Sequence, residues 1–198
     1  VNYAALDKKS GCREAFIPDN DFLLEIDISA YHPTLAAQLV DFDFGEGDIH
    51  QAFADMYGVD YKKAKELTFK QLYGGVFKEY KDLEFFKRVE KYIEDIASKE
   101  EFVCKSGYVF KTDMKKQKLF NYILQNTETY YNVLILEEII YLLKSCKTNI
   151  IHYTYDSFLL DVSKDEKYVI LNILAIFKKY GFSTKVEAGS NYNSLERV

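Results

Sequence analysis

Apolar residues come in short bursts along this chain, and the polar residues between them predict its elements. Phe22 to Ile28 is apolar except for Glu25 and Asp27, which reads as a strand, and a helical pattern over Thr34 to Leu39 follows Pro33 at once. Residues 1–21 are polar and turn-rich, with one short strand expected around Arg13 to Ile17. Asp41 to Gly47 is an acidic, Gly-containing connector. Asp48 should cap a helix running to Tyr57, Gly58 should break it, and Asp60 should cap a second from Tyr61 to the Gly74-Gly75 pair. A lysine-rich helical pattern covers 78–99, and 102–113 reads as a small hairpin around Ser106 and Gly107. A long helix is expected over Lys115 to Cys146, with Leu119, Ile123, Val133, Leu136, Ile140 and Leu143 as its apolar positions. Asn149 to Val162 reads as strand, tight turn, strand, with Asp156 at the turn. A helix over Asp165 to Tyr180, closed by Gly181, and a last strand over Ser183 to Ala188 precede a polar tail. Strands and helices alternate irregularly, which predicts an α+β sheet lobe with a helical lobe inserted at about 48–110.

Composition narrows the class. A chain of 198 residues at 48% hydrophobic content is enough for a core, in one domain or two small lobes. Its apolar stretches are too short to span a membrane, and its start does not read as a signal peptide. It opens on Val1 rather than Met, so a piece of a longer protein is expected. Cys12, Cys104 and Cys146 are scattered and odd in number, which predicts reduced, buried thiols in an intracellular protein. The net charge of −5 argues against holding nucleic acid by bulk charge. It leaves room for local lysines, and for acids gathered at a metal site.

Three groups of residues carry candidate chemistry. Asp27 and Asp156 each lie at the end of an apolar strand, where a carboxylate is costly unless paired or bound. Asp27 read alone is better explained as a cap of the next helix; the two together suit a divalent metal with hard oxygen ligands. Asp161 is a third candidate acid. Lys62, Lys65, Phe69 and Tyr73 share one face of the helix from Tyr61. That face fits a nucleotide, with cations towards phosphates and rings towards base and sugar, or else an amphipathic helix with snorkelling lysines. Asn121 and Gln125 lie one turn apart and would either satisfy neighbouring backbone or read minor-groove acceptors. His50 reads as a surface residue near its helix start, and His152 as part of a strand face.

Taken in order, these pieces resemble the polymerase domain of family A DNA polymerases, the DNA polymerase I type. Leu23 to Ser29 is similar to their first palm motif, Asp48-Ile49-His50 to the Asp-Ile-His at the base of the fingers, and Lys65, Phe69 and Tyr73-Gly74 to their fingers helix. Asn121 and Gln125, with Thr127 two residues on, resemble the Asn-x-x-x-Gln helix. Tyr155-Asp156-Ser157 stands where the family has His-Asp-Glu, and Val186 to Gly189 resembles the closing strand. The likeness runs from about Arg13 to Glu196.

The resemblance implies a palm, an antiparallel sheet packed on helices, at 1–47 and 111–198, with fingers inserted at 48–110 and no thumb or proofreading exonuclease in these residues. It implies template-directed addition of dNTPs to a primer 3′-end with two Mg²⁺ ions, Mn²⁺ being able to substitute. Asp27, Asp156 and the backbone carbonyl of Ile28 would hold the metals. Lys65, helped by Lys62 and His50, would neutralise the phosphates, and Phe69 and Tyr73 would stack near the nucleotide and templating base. Asn121, Gln125 and Tyr73 would touch the primer-template. A cytoplasmic setting, in a bacterial or phage-infected cell, follows from the same likeness, as do further domains of a longer parent.

The departures are specific. Tyr155 and Ser157 replace the family's His and Glu, which removes one carboxylate. Tyr31-His32-Pro33 stands in place of Ile-Glu-Leu, so His32 occupies the position of the Glu that screens the sugar. Lys62 stands where Arg is frequent, and 102–118 is short. Two other readings stay open: a single-subunit RNA polymerase-like enzyme, and a nucleic-acid-binding module with a decayed active site.

Overall fold

The computed structural model describes Leu6 and residues 8–198; the start of the turn-rich stretch, 1–5 and 7, lies outside the described residues. The fold is mixed α+β, with an antiparallel sheet packed against helices. The chain divides into two compact units, one built from residues up to Ser29 and from Tyr131 onward, the other from Ala30–Tyr130.

The first unit is organised around β1 (Phe22–Ile28), central in a five-stranded sheet of order β4-β5-β1-β6-β7. Its neighbours are β5 (Ser157–Val162) and β6 (Thr184–Gly189), both antiparallel to it. The outer strands are β4 (Asn149–Thr154) and β7 (Glu196–Arg197), the latter within the polar tail, where the sequence predicts no strand. Strand alternation puts Leu24, Ile26 and Ile28 on one face and Leu23, Glu25 and Asp27 on the other. On the first face Phe158 meets Phe177 of α6 (Lys167–Lys179) edge-on, at a centroid distance of 5.2 Å. On the second, Leu23 and Leu159 are covered by Tyr192, Leu195 and Phe16. This cover sits at the start of β1, which leaves Asp27, near its end, only half-buried. At Gly189, opposite Leu23, a Cβ would come within 2.5 Å of the Ser194 carbonyl, so the returning chain packs where only glycine fits.

The second unit is helical. Its helices are α1 (Tyr31–Leu39), α2 (Ile49–Tyr57), α3 (Tyr61–Gly74), α4 (Glu84–Ala97) and the first part of α5 (Lys116–Leu143), with a hairpin of β2 (Glu101–Val103) and β3 (Val109–Lys111). Asp48 and Asp60 cap α2 and α3 by accepting backbone N–H bonds, as their positions in the sequence predict. Phe42, Phe44, Phe53 and Phe85 form an aromatic knot with neighbouring centroids between 4.9 Å and 5.4 Å. Between α2 and α3 lies a buried polar network. Gln71 donates to the Tyr57 hydroxyl at 3.1 Å and accepts from the Phe77 N–H at 3.3 Å, and Thr68 shares the same hydroxyl. Burial pushes the ionisation of Tyr57 well up, so the hydroxyl stays neutral in this network.

Several elements differ from expectation. Arg13 to Ile17 is not a strand: Cys12–Ala15 forms a short 3₁₀ turn. The lysine-rich pattern at 78–99 is interrupted, giving a 3₁₀ turn at Lys78–Tyr80 before α4. Helix α1 starts three residues earlier than predicted, because Pro33 falls in its first turn, where a missing N–H costs nothing. In α5 the buried stripe is Ile135, Ile139 and Leu143, while Val133 and Ile140 are 56% and 57% exposed. Leu119, Ile123 and Leu143 are buried as expected, but the second half of the helix is apolar on two sides, and periodicity took Val133 and Ile140 from the exposed one. Of the cysteines, Cys104 is buried, and its thiol is pushed up to about 11 by that burial; Cys12 is exposed.

Candidate functional site

The candidate residues fall into one constellation in each unit. In the first, Asp27 is the cross-strand partner of Ser157, and the Ile28 N–H donates to the Asp156 carbonyl at 2.8 Å. Asp27 thus lies near the end of β1, and Asp156 in the turn that leads into β5, one position before the cross-strand partner of Asp27. Asp156 belongs to a two-residue turn, since Thr154 pairs directly with Ser157. The other turn residue, Tyr155, has φ 53, a left-handed conformation that is an outlier for a bulky side chain. Such a residue costs on the order of 1–3 kcal/mol and persists only where its surroundings hold it.

Asn132 supplies that hold. It is 1% exposed, and its amide donates to the Tyr155 carbonyl at 2.8 Å and to the Tyr153 hydroxyl at 2.9 Å. Nothing in the sequence marked it, because its partners lie more than twenty positions away in the chain. Ser157 donates to Glu25 at 2.5 Å, and the Tyr192 hydroxyl reaches the same carboxylate oxygen at 3.1 Å. Glu25 is thus a further acid on the Asp27 face, tied to Ser157 beside Asp156. On the other side of Asp27 the register places Lys185.

Asp161 is not part of this group. It lies at the opposite end of β5, across from Leu23, is buried, and accepts backbone N–H bonds from Asp19 and Asn20. It pins the entry to β1. Among the described residues no cluster of three or more His, Cys, Asp or Glu side chains could hold a metal. The donors that a cation would find are two carboxylates and the backbone carbonyl expected at Ile28. All are hard oxygens, the ligand type that suits a divalent cation such as Mg²⁺ or Mn²⁺.

The second constellation lies on α3 and its neighbours. Lys62 and Lys65 are exposed, and Phe69 and Tyr73 are half-buried with rings nearly parallel at 6.1 Å and 3°. The opposite face buries Ala64, Leu67, Thr68, Gln71 and Leu72, which fixes the stripe outward. His50 departs from expectation: it is 3% exposed, set against Tyr61 and Phe69 at 5.9 Å and 6.4 Å. It packs behind Phe69 rather than presenting an imidazole to solvent. Asn121 donates to the Tyr73 backbone carbonyl at 3.1 Å, one of the two roles its sequence position left open, while Gln125 is exposed. His32 bridges Tyr73 and Glu128: its Nδ1 meets the Tyr73 hydroxyl and its Nε2 lies 2.9 Å from the Glu128 carboxylate.

Asp48 underlies this group through its cap. Burial pushes its carboxyl up, but bonds from the Gln51 N–H, the Tyr61 hydroxyl and the His50 N–H outweigh burial and set it below its ordinary value. A depressed carboxyl stabilises the fold above its unfolded value, about 3.9, and loses that contribution as pH falls through the lower folded value. Asp48→Ala should cost about 1 kcal/mol at neutral pH, the usual worth of such a cap. Thermal melts of the two proteins should converge as the medium is acidified through that window; a gap that persists unchanged would exclude the cap as its source.

No family model matches the chain, and no curated protein matches it. Among solved structures, the chain is similar to the POL domain of Pol1 from M. smegmatis, in complex with DNA primer-template and dNTP. The TM-score is 0.77 at 14% sequence identity, over 92% of this chain. The chain spans 42% of that structure's length. The likeness is one of fold: a polymerase-domain architecture is shared, with little sequence in common. Among the described residues no helix is long and apolar enough to cross a membrane.

Proposed function

We propose that this chain is the palm and fingers portion of a template-directed DNA polymerase of the family A type, adding dNTPs to a primer 3′-end. The observation that carries the reading is Asp27 on a central antiparallel strand, in register with the residue beside Asp156, in a fold similar to a polymerase domain. In this reading 48–110 act as fingers and 1–47 and 111–198 as palm, a division by motif rather than by compact unit.

Asp27, Asp156 and the Ile28 carbonyl would hold two Mg²⁺ ions. When bound, such a pair activates the attacking hydroxyl and offsets charge on the leaving pyrophosphate. The chain's own work is placement. The strained turn and Asn132 fix Asp156 against β1, and the β5–β1 register fixes Asp27. Lys65 and Lys62 meet the triphosphate as point charges from an exposed helix face. Phe69 and Tyr73 offer ring faces to base and sugar, with His50 supporting Phe69 from behind. His32 fills the space beside the sugar, where a bulky side chain excludes a ribose hydroxyl by clash. Gln125 meets the duplex from the exposed side of α5, and Asn121 orients Tyr73.

Primer extension with labelled dNTPs and with NTPs tests the whole reading. Template-directed dNTP addition that requires Mg²⁺ is the expected result. Addition of NTPs alone would shift the assignment to an RNA polymerase. Binding of primer-template with no extension would leave a nucleic-acid-binding module.

A further inference from the structure

The contact of His32 with Glu128 has no counterpart in the sequence motifs, and it joins α1 to α5 across 96 positions of the chain. The two side chains are equally enclosed, each with 14% of its surface exposed. A second bond lies beside the first, since the Tyr31 hydroxyl donates to the Glu128 backbone carbonyl at 3.2 Å. Adjacent residues of α1 thus grip one residue of α5, by its side chain and by its backbone. The other ring nitrogen of His32 meets Tyr73, whose backbone carbonyl is in turn held by Asn121, one helical stretch before Glu128. The result is a closed circuit through α1, α3 and α5, all within the second unit.

For a neutral ring the donor and acceptor chemistry of this circuit has one direction. An ionised carboxylate only accepts, so the proton between His32 and Glu128 sits on Nε2. In the neutral ring Nδ1 is then an acceptor, and the Tyr73 hydroxyl must donate to it. An imidazole with a single partner could turn over or swap its proton between nitrogens; with both nitrogens committed it can do neither. The bond to Glu128 is charge-assisted and largely withdrawn from water, the setting in which such a bond orients most strongly.

We propose that Glu128 is a positioning residue for sugar selection: it fixes the tautomer and pose of His32, and through His32 the exclusion of ribonucleotides. The inference rests on the polymerase reading above and adds to it a residue that no motif contains. It divides the work of one side chain between two. The imidazole supplies bulk, and the carboxylate on the neighbouring helix supplies the anchor that keeps this bulk in place while Tyr73 contacts the nucleotide.

Two measurements on the whole chain test it. The first is the ratio of dNTP to NTP incorporation in single-turnover primer extension. Glu128→Ala should lower that ratio about tenfold, the equivalent of one charge-assisted hydrogen bond. Glu128→Gln, whose amide oxygen can still accept from Nε2–H, should retain most of it. Glu128→Asp keeps the charge but withdraws it by one carbon and should lose discrimination, and it serves as the second variant if the alanine protein folds poorly. His32→Ala should abolish the preference, and adding Glu128→Ala to it should change nothing further, because coupled residues are not additive. A preference unchanged in both Glu128→Ala and Glu128→Asp, or additive in the double variant, overturns the inference.

The second measurement does not need activity: long-range ¹H–¹⁵N correlation spectra of the His32 ring. The wild type should show one neutral tautomer, protonated at Nε2, and Glu128→Ala a mixture. A spectrum unchanged by the substitution overturns the inference even if the enzyme works. A wild type that incorporates neither nucleotide removes the polymerase reading, and with it the sugar role.

Discussion

Asp27→Asn and Asp156→Asn should each lower single-turnover nucleotide incorporation on the order of 10³-fold, with the fold intact. Both substitutions keep size and hydrogen-bonding capacity and remove one negative charge. Stabilising charge that develops in a transition state is commonly worth 10²–10³-fold per preorganised group, about 3–4 kcal/mol of barrier. Asp156 lies in the turn one position before the cross-strand partner of Asp27, and carboxylates gathered to hold a cation repel each other when it is removed. Removing either charge should therefore leave the melting temperature unchanged or raise it. The combination of lost activity and kept or gained stability separates a metal-holding pair from a structural one. An Asn variant that extends primers at near wild-type rate would end the assignment, and one that merely unfolds would point to a structural acid such as Asp161, which holds two backbone N–H groups.

Lys65→Ala should reduce incorporation about 100-fold, while Lys63→Ala should stay within about threefold of wild type, as exposed lysines away from a site usually do. The contrast rests on helix geometry. Lys65 shares a stripe with Lys62, Phe69 and Tyr73, whereas Lys63 follows Lys62 by about 100° around α3. Both lysines are exposed and equally charged, so the comparison holds general electrostatics constant. Steady-state extension across a range of dNTP concentrations would check it. Equal losses at the two positions would mean that α3 contributes diffuse positive charge and no specific phosphate contact.

What the sequence made legible is mostly what is local. Asp48 and Asp60 could be placed as caps because a cap and its N–H groups lie within three residues of each other. That Lys62, Lys65, Phe69 and Tyr73 share one face of α3 followed from spacing alone; that this face points outward came only with the burial of the opposite one. The turn at Asp156 was legible because two apolar strands can be joined tightly at only a few residues. What stayed hidden was through-space. Asn132, Glu25 and Glu128 read as ordinary polar residues until the fold brings Tyr155, Ser157 and His32 beside them. His50 was misplaced for a related reason: position in a first helical turn says nothing about whether Phe69, nineteen residues on, will cover it. Val133 and Ile140 were misplaced because both sides of that half of α5 are apolar, and only packing tells them apart.

The left-handed residue at the tip of the β4–β5 hairpin has a consequence for how this chain can adapt. Tyr155 is 67% exposed, so its side chain recovers little by packing, while its backbone bears a left-handed cost of roughly 1–2 kcal/mol. Asparagine tolerates that conformation better than other non-glycine residues, and glycine tolerates it freely but loosens the unfolded chain. Populations selected only for heat resistance would therefore drift towards Asn at this position. Populations selected for copying would keep Tyr only if its exposed ring meets something during turnover. Sequencing the survivors of both regimes would turn a backbone angle into a record of which pressure this hairpin has been under.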